Sequence, residues 1–163
     1  MGFFTNHKKK SDKDLDIVAL ASGTMICPDQ IKDAVFSQQM MGQTIGFILD
    51  SGEIVSPVTG KVEVMFPTGH AFMIRMKDGT GILVHVGINT VELNGKGFKV
   101  YVKQGQDVKA GQTVVRLDLK AVKQQGYDTT TMLIVSEPIN KTIPFIDFGK
   151  VKKGKSIVKK VYV

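Results

Sequence analysis

From residue 15 onward the chain is a succession of short apolar or alternating runs cut by Gly, Pro, Asp and Asn. Thr44–Leu49, Glu53–Val55, Lys61–Phe66, Ala71–Met76, Ile82–Ile88, Lys99–Val102, Thr113–Leu117, Met132–Val135, Thr142–Ile146 and Ser156–Val163 are examples. Runs of this length, bounded by turn residues, predict an all-β sandwich or barrel. Sustained helical periodicity is missing, and only two brief helical turns are expected, near Asp29–Gln38 and Leu119–Gln125. Nothing that reads as a linker divides residues 15–163, so these form one domain. Residues 1–14 are polar, basic and poor in apolar groups, and read as a flexible leader. They lack a myristoylation pattern, and Met1 itself leads to the expectation of a free-standing protein.

The composition narrows the function classes. With 42% apolar and 23% charged residues the chain is ordinary for a soluble protein, and no run approaches the ~18 apolar residues that span a bilayer. Stable membrane insertion is therefore not expected, and no secretory signal follows Met1. A lone cysteine, Cys27, rules out an internal disulfide framework and points to a reducing cytoplasm, with Cys27 itself a buried structural thiol. The net charge of +7 suggests nucleic acid at first, but its distribution does not. Lys8–Lys10 lie at one end and Lys150, Lys152, Lys153, Lys155, Lys159 and Lys160 crowd the other. There is no Trp, and no aromatic alternates with basic residues as a base-stacking platform requires, so nucleic-acid binding is not expected.

Two of the three histidines carry the functional reading. His70 and His85 flank a turn signal, Asp78-Gly79, set between apolar runs. If Asp78 and Gly79 form a two-residue turn, Lys77 pairs with Thr80 and His85 lies opposite Phe72. His70, two residues before Phe72, then points to the same face, and the histidines become diagonal neighbours roughly 7–8 Å apart. A three-residue turn would shift the register by one and send the rings to opposite faces. On the two-residue register Leu83, Phe72 and Ile74 share the histidine face while Arg75 lies on the other, which also allows a bulge. His7, in the leader, reads as structural.

Converging imidazoles beside Thr68, Gly69 and Gly87 admit three chemistries. Phosphoryl transfer through a phosphohistidine would use one ring as nucleophile, with the second N–H and a threonine hydroxyl on the equatorial oxygens. A zinc hydrolase would need a third protein ligand, and no His-x-Glu, His-x-His or His-Glu-x-x-His motif supplies one. A swinging-arm carrier would need a modifiable hairpin-tip lysine in a Met-Lys-Met context, which is absent. Two further segments, Ser56-Pro-Val-Thr-Gly60 and Gly105-Gln-Asp-Val-Lys-Ala-Gly-Gln112, are turn elements of a kind that recurs in β folds resembling biotinyl and lipoyl carriers.

Pro67-Thr-Gly-His70-Ala-Phe72, Gly81-Ile-Leu-Val-His85-Val-Gly-Ile-Asn-Thr-Val91 and the Gly105–Gln112 segment together closely resemble the glucose-type IIA component of the bacterial phosphoenolpyruvate-dependent sugar phosphotransferase system. The likeness runs in order from about Asp16 to Val163. It implies a compact antiparallel β-sandwich with both histidines in a shallow depression. It implies that His85 accepts phosphate from the phosphocarrier HPr and passes it to a cysteine of a IIB domain. His70 would hydrogen-bond the phosphoryl group and Thr68 would orient His70. The family's docking face maps onto Ala34, Val35, Phe36, Met40, Met41, Phe66, Phe72, Leu83 and Val91. No cofactor is required, although in some members zinc bridges the two histidines (here His70 and His85) at a partner interface. Asn89 stands where many members carry Asp, which leaves partner preference open. The resulting expectation is a cytoplasmic phosphocarrier for sugar uptake. The alternative is a regulatory binding module whose contacts with regulatory targets are gated by phosphorylation, and a zinc hydrolase comes third.

Overall fold

The computed structural model describes residues 15–139, 143–145 and 148–159. Thirteen strands are assigned among them: β1 (Ile17–Val18), β2 (Gly23–Ile26), β3 (Gln43–Leu49), β4 (Glu53–Val55), β5 (Gly60–Met65), β6 (Ala71–Met76), β7 (Gly81–Val86), β8 (Phe98–Val100), β9 (Asp107–Val108), β10 (Thr113–Leu117), β11 (Thr131–Glu137), β12 (Gly149–Val151) and β13 (Ile157–Lys159). The helical content is slight. Two α-helices, α1 (Ala34–Ser37) and α2 (Leu119–Gln124), accompany 3-10 turns at Pro28–Gln30 and Thr90–Leu93.

The strands form an eight-stranded sheet in the order β12-β2-β3-β11-β7-β6-β5-β9, a three-stranded sheet β4-β10-β8 and a two-stranded pair β1-β13. Every pairing is antiparallel. All-β architecture is thus as expected, and β6 and β10 occupy the residues their sequence patterns predict. The two turn-rich segments meet each other: Gly111 N–H donates to the Ser56 carbonyl and Ser56 N–H to that of Gln112, both at 2.8 Å.

One face of the large sheet supplies the main core, with Phe47, Phe72, Ile74, Val84, Val86 and Leu133 packed toward Ile54, Val114 and Leu117 of the three-stranded sheet. The other face is covered locally by a second cluster of Ile26, Ile31, Phe36, Ile88, Met132 and Ile134, with Leu83 packed beside it. Strand β11 pairs on both sides and is covered on both faces, and its residues 131–135 form an unbroken buried run.

The cap over that second cluster explains a departure from the sequence reading. Asp29–Gln38 is not one helical stretch but a 3-10 turn and a separate α1, joined through Ile31 in extended conformation (φ −80°, ψ 131°). Extension lets the Ile31 side chain descend onto β3, where Gly46 makes room: a Cβ there would lie 2.9 Å from Ile26 Cγ1 and 3.1 Å from Ile31 Cδ1. Asp33 then starts α1 by accepting a hydrogen bond from Val35 N–H at 2.9 Å. Similarly β7 ends at Val86 rather than Ile88, because Gly87 turns the chain at φ +80°. The Thr142–Ile146 and Ser156–Val163 runs are described only in part; Ile157–Lys159 forms β13 against β1, whereas residues 143–145 carry no strand. His7 and the leader lie outside the described residues.

The hairpin register differs from the expected one. His85 lies opposite Ala71, and Phe72 lies opposite Val84. Met76 N–H donates to the Thr80 carbonyl at 2.8 Å, so the loop is three residues, Lys77-Asp78-Gly79. Asp78 accepts from Thr80 N–H at 2.9 Å and Gly79 adopts φ +97°, the chemistry of a turn that ends in a left-handed residue. Phe72 consequently belongs to the main core and is fully buried, so it is not a docking residue. Arg75, opposite Gly81, is on the His85 face, and Ile74 is in the core. The bulge is in β5, where the pairing with β6 slips between Val62 and Val64.

Candidate functional site

The β5–β6 connection places His70. Phe66-Pro67-Thr68-Gly69 is a turn, with Pro at its second position and Gly69 N–H donating to the Phe66 carbonyl at 2.8 Å. Gly69 sits at φ +75°, and a Cβ there would meet Val100 Cγ2 at 2.9 Å, so the position needs glycine on both counts. His70 follows this turn, just ahead of β6. Its Nδ1 is hydrogen-bonded to Thr68 Oγ1, and its ring rests 5.0 Å from that of Phe66.

His85 projects from β7 onto the second-cluster face. Its pair mate is Ala71, whose small side chain leaves the space above the sheet open for the His70 ring. The imidazole centroids are 5.4 Å apart at an interplanar angle of 76°, and Phe36 of α1 lies 5.0 Å from His85. The histidines therefore meet despite a three-residue turn, because His70 has left the pleated part of its strand. Expecting opposite faces assumed that regular alternation continues to residue 70.

The protonation state of His85 follows from its partner. Nδ1 is 2.7 Å from the carbonyl oxygen of Gly87, which only accepts, so Nδ1 carries the proton and Nε2 keeps its lone pair. Burial holds the His85 pKa below the ordinary 6.5, opposed by the Gly87 carbonyl and by the negative charge of Asp33. Burial, with the neighbouring His85 second, also lowers that of His70. Both rings are neutral near pH 7, the state a nitrogen nucleophile requires.

Apolar side chains are exposed at several of the expected docking residues. Val35, Met40, Met41, Phe66 and Val91 are among the exposed large apolar side chains, and Ala34 is exposed as well. Phe36 is mostly buried against His85, and Leu83 is half-buried. Cys27 is half-buried rather than buried; a hydrogen bond to Asp29 raises its pKa, which disfavours the thiolate. Among the described residues no group of three or more His, Cys, Asp or Glu is gathered to hold a metal. The two histidines alone supply two of the four positions of a tetrahedral zinc site. Nor, among them, is any helix long and apolar enough to cross a membrane.

Residues 15–140 match the family model for the phosphoenolpyruvate-dependent sugar phosphotransferase system, EIIA 1. The chain belongs to this family. It is therefore a phosphotransferase component that carries a phosphoryl group as a phosphohistidine, with HPr and a IIB domain as partners. It is 38% identical over 143 residues to the glucose-specific EIIA component of Mycoplasma capricolum, covering 88% of this chain and 93% of that one. A glucoside-specific EIICBA component of Staphylococcus carnosus is 36% identical over 142 residues, which are 87% of this chain but 20% of that longer protein. The solved glucose permease IIA of Mycoplasma capricolum superimposes with a TM-score of 0.85 at 36% identity, covering 89% of this chain and 94% of that one.

Three contributors to the EIIA site escaped the sequence reading as functional groups. Gly87 was noted only as a neighbour of the imidazoles, whereas its carbonyl fixes the tautomer of His85. Asp33 was not singled out, although it starts α1 and its charge acts on His85. Ala71 was passed over because the assumed register put Phe72 opposite His85. A glycine two residues past a strand histidine is the one signal of these that was available.

Proposed function

We propose that His85 is the residue that accepts the phosphoryl group, through Nε2, from HPr and surrenders it to a cysteine of a IIB domain. The supporting observation is the Nδ1–Gly87 hydrogen bond, which leaves Nε2 unprotonated in a neutral ring. In the first step the Nε2 lone pair attacks phosphorus, a P–N bond forms, and the bond from phosphorus to HPr breaks with its electrons returning to the donor. In the second step the cysteine thiolate attacks, a P–S bond forms, and the His85 P–N bond breaks, returning the lone pair to Nε2. The proton stays on Nδ1 throughout, donated to the Gly87 carbonyl, which stabilises the charge on the substituted ring.

His70 assists. With the Thr68 hydroxyl donating to its Nδ1, His70 carries its own proton on Nε2, a donor for a phosphoryl oxygen on the adjacent ring. Val35, Met40, Met41, Phe66 and Val91 form the apolar rim on which partners dock, with Ala34 and Leu83 at its margins. The transfer asks for no resident cofactor; an accessory zinc on His70 and His85 would need its remaining ligands from a partner. We place the reaction in the cytoplasm, in keeping with the unpaired Cys27 thiol. Sugar choice belongs to the permease, and glucose, named for several relatives, is the first sugar to test.

The experiment supplies radiolabelled phosphoenolpyruvate, the first enzyme of the system and HPr. Acid-labile, alkali-stable label that maps to His85 is the expected result; label on another residue overturns the assignment.

A further inference from the structure

We propose that Thr90 is a positioning residue for phosphoryl transfer: its buried hydroxyl, bonded to the Val86 carbonyl, holds the peptide leading into Gly87, whose own carbonyl fixes the His85 tautomer. The proposal rests on reading His85 as the acceptor.

Gly87 is where such a hold is needed. The residue sits at φ +80° between β7 and the 3-10 turn, and a glycine carbonyl without support has wide conformational freedom. Yet this carbonyl must stay within 2.7 Å of His85 Nδ1. One contact restrains its own peptide, and Thr90 restrains the one before. Ile88 N–H, at the other edge of the same planar peptide, donates to the Asp128 carbonyl at 2.9 Å. In a trans peptide N–H and C=O point in opposite directions, so tying one aims the other.

Thr90 restrains the preceding peptide. Its Oγ1 donates to the Val86 carbonyl, and the side chain is fully inaccessible, so water does not compete. Its methyl group lies against Gly87: a Cβ added to Gly87 would fall 2.4 Å from Thr90 Cγ2. Thr90 thus grips the residue that holds His85 from one side by a hydrogen bond and from below by packing. Asn89, with φ 61°, makes the bend that returns Thr90 to this position. If the Gly87 carbonyl swings away, nothing obliges the proton to stay on Nδ1, and any fraction that moves to Nε2 removes the nucleophile.

The test compares Thr90→Val, which keeps the shape and deletes the hydroxyl, with Thr90→Ser, which keeps the hydroxyl. Ring-nitrogen NMR of unphosphorylated His85 in the full chain reads the tautomer directly. Wild type and Thr90→Ser should show the proton on Nδ1, and Thr90→Val a mixture. In the transfer assay Thr90→Val should lower kcat for acceptance by about 5- to 30-fold, the factor one lost hydrogen bond spans, with KM for HPr unchanged. A His85 ring that keeps its Nδ1 proton in Thr90→Val overturns the proposal, as does Thr90→Ser failing as badly as Thr90→Val. Should Thr90→Val not fold, Thr90→Cys, with a weaker donor, replaces it: a tautomer mixture supports the proposal and the wild-type ring overturns it. Because the NMR readout needs no phosphate, it judges Thr90 separately from label mapping, which judges His85 as acceptor.

Discussion

The rings of His70 and His85 meet edge to face, 5.4 Å between centroids, although their backbones hold positions of opposite pleat. His85 is paired with Ala71, while the His70 carbonyl accepts from Val86 N–H at 2.7 Å, one step further along. The Phe66–Gly69 turn and the Thr68 hydroxyl bring His70 round to its neighbour. This gives the two histidines different supports, a backbone carbonyl for His85 and a hydroxyl for His70, and hence different expected roles.

Replacing His85 by Ala should abolish phosphorylation by HPr altogether, since among the described residues no second bare ring nitrogen is held in the same way. Replacing His70 by Ala should leave acceptance in place and slow onward transfer to the IIB cysteine by about 10²-fold, the effect of losing one donor to a charged transition state. Rapid-quench measurement of both half-reactions separates the two. Normal onward transfer in His70→Ala would refute this division of labour.

The pH dependence has a definite sign. Both histidines have folded-state pKa values below the ordinary 6.5 because burial penalises the imidazolium. The unfolded chain therefore binds more protons than the folded one as pH falls through 6.5, so stability is full above that value and declines beneath it. Acceptance of phosphate should hold its neutral-pH rate to more acid pH than a free imidazole would allow. Denaturant unfolding between pH 5 and 8 checks the first statement, and NMR titration of the two rings the second; a ring titrating above 6.5 contradicts both.

The rim can be probed without disturbing the chemistry. Met40 is 68% exposed and follows α1, so Met40→Asp should leave folding untouched. Placing a charge in the apolar docking surface should raise KM for HPr by about tenfold while the His85 ring spectrum stays as in wild type. An unchanged KM would remove Met40 from the docking face.

Much of this was legible because local signals agree with the fold. Ala71–Met76 and Thr113–Leu117 are strands as predicted, each ended by residues that break the ladder. The hairpin turn was misread because Asp78-Gly79 suits both a two-residue turn and the last two positions of a three-residue one. Neighbouring composition does not choose between them; the burial of Phe72 and Ile74 under the second sheet does, and that is a tertiary fact. The meeting of the histidines survived the wrong register because their order and motif were correct, while the reason given for it was not. Gly87, Thr90 and Asp128 were invisible as a hold on His85 because all three contacts end on backbone carbonyls, which side-chain chemistry does not announce.

Gly46 gives the second cluster its own test. A Cβ at this position would fall 2.9 Å from Ile26 Cγ1 and 3.1 Å from two carbons of Ile31, the residue that seats the cap over β3. Phe36 belongs to the same cap and touches His85, so overpacking here reaches the site through one layer of side chains. Gly46→Val should cost about 1–3 kcal/mol of stability, as inserted methyl groups do in a filled core. It should also shift the His85 ring resonances as Phe36 is displaced, while the opposite, main-core face of β3 at Ile45 and Phe47 is spared. Equilibrium unfolding measures the first effect and the NMR spectrum the second. A destabilised variant with His85 unmoved would mean that the cap yields at Ile31 alone and that Phe36 is seated independently of it.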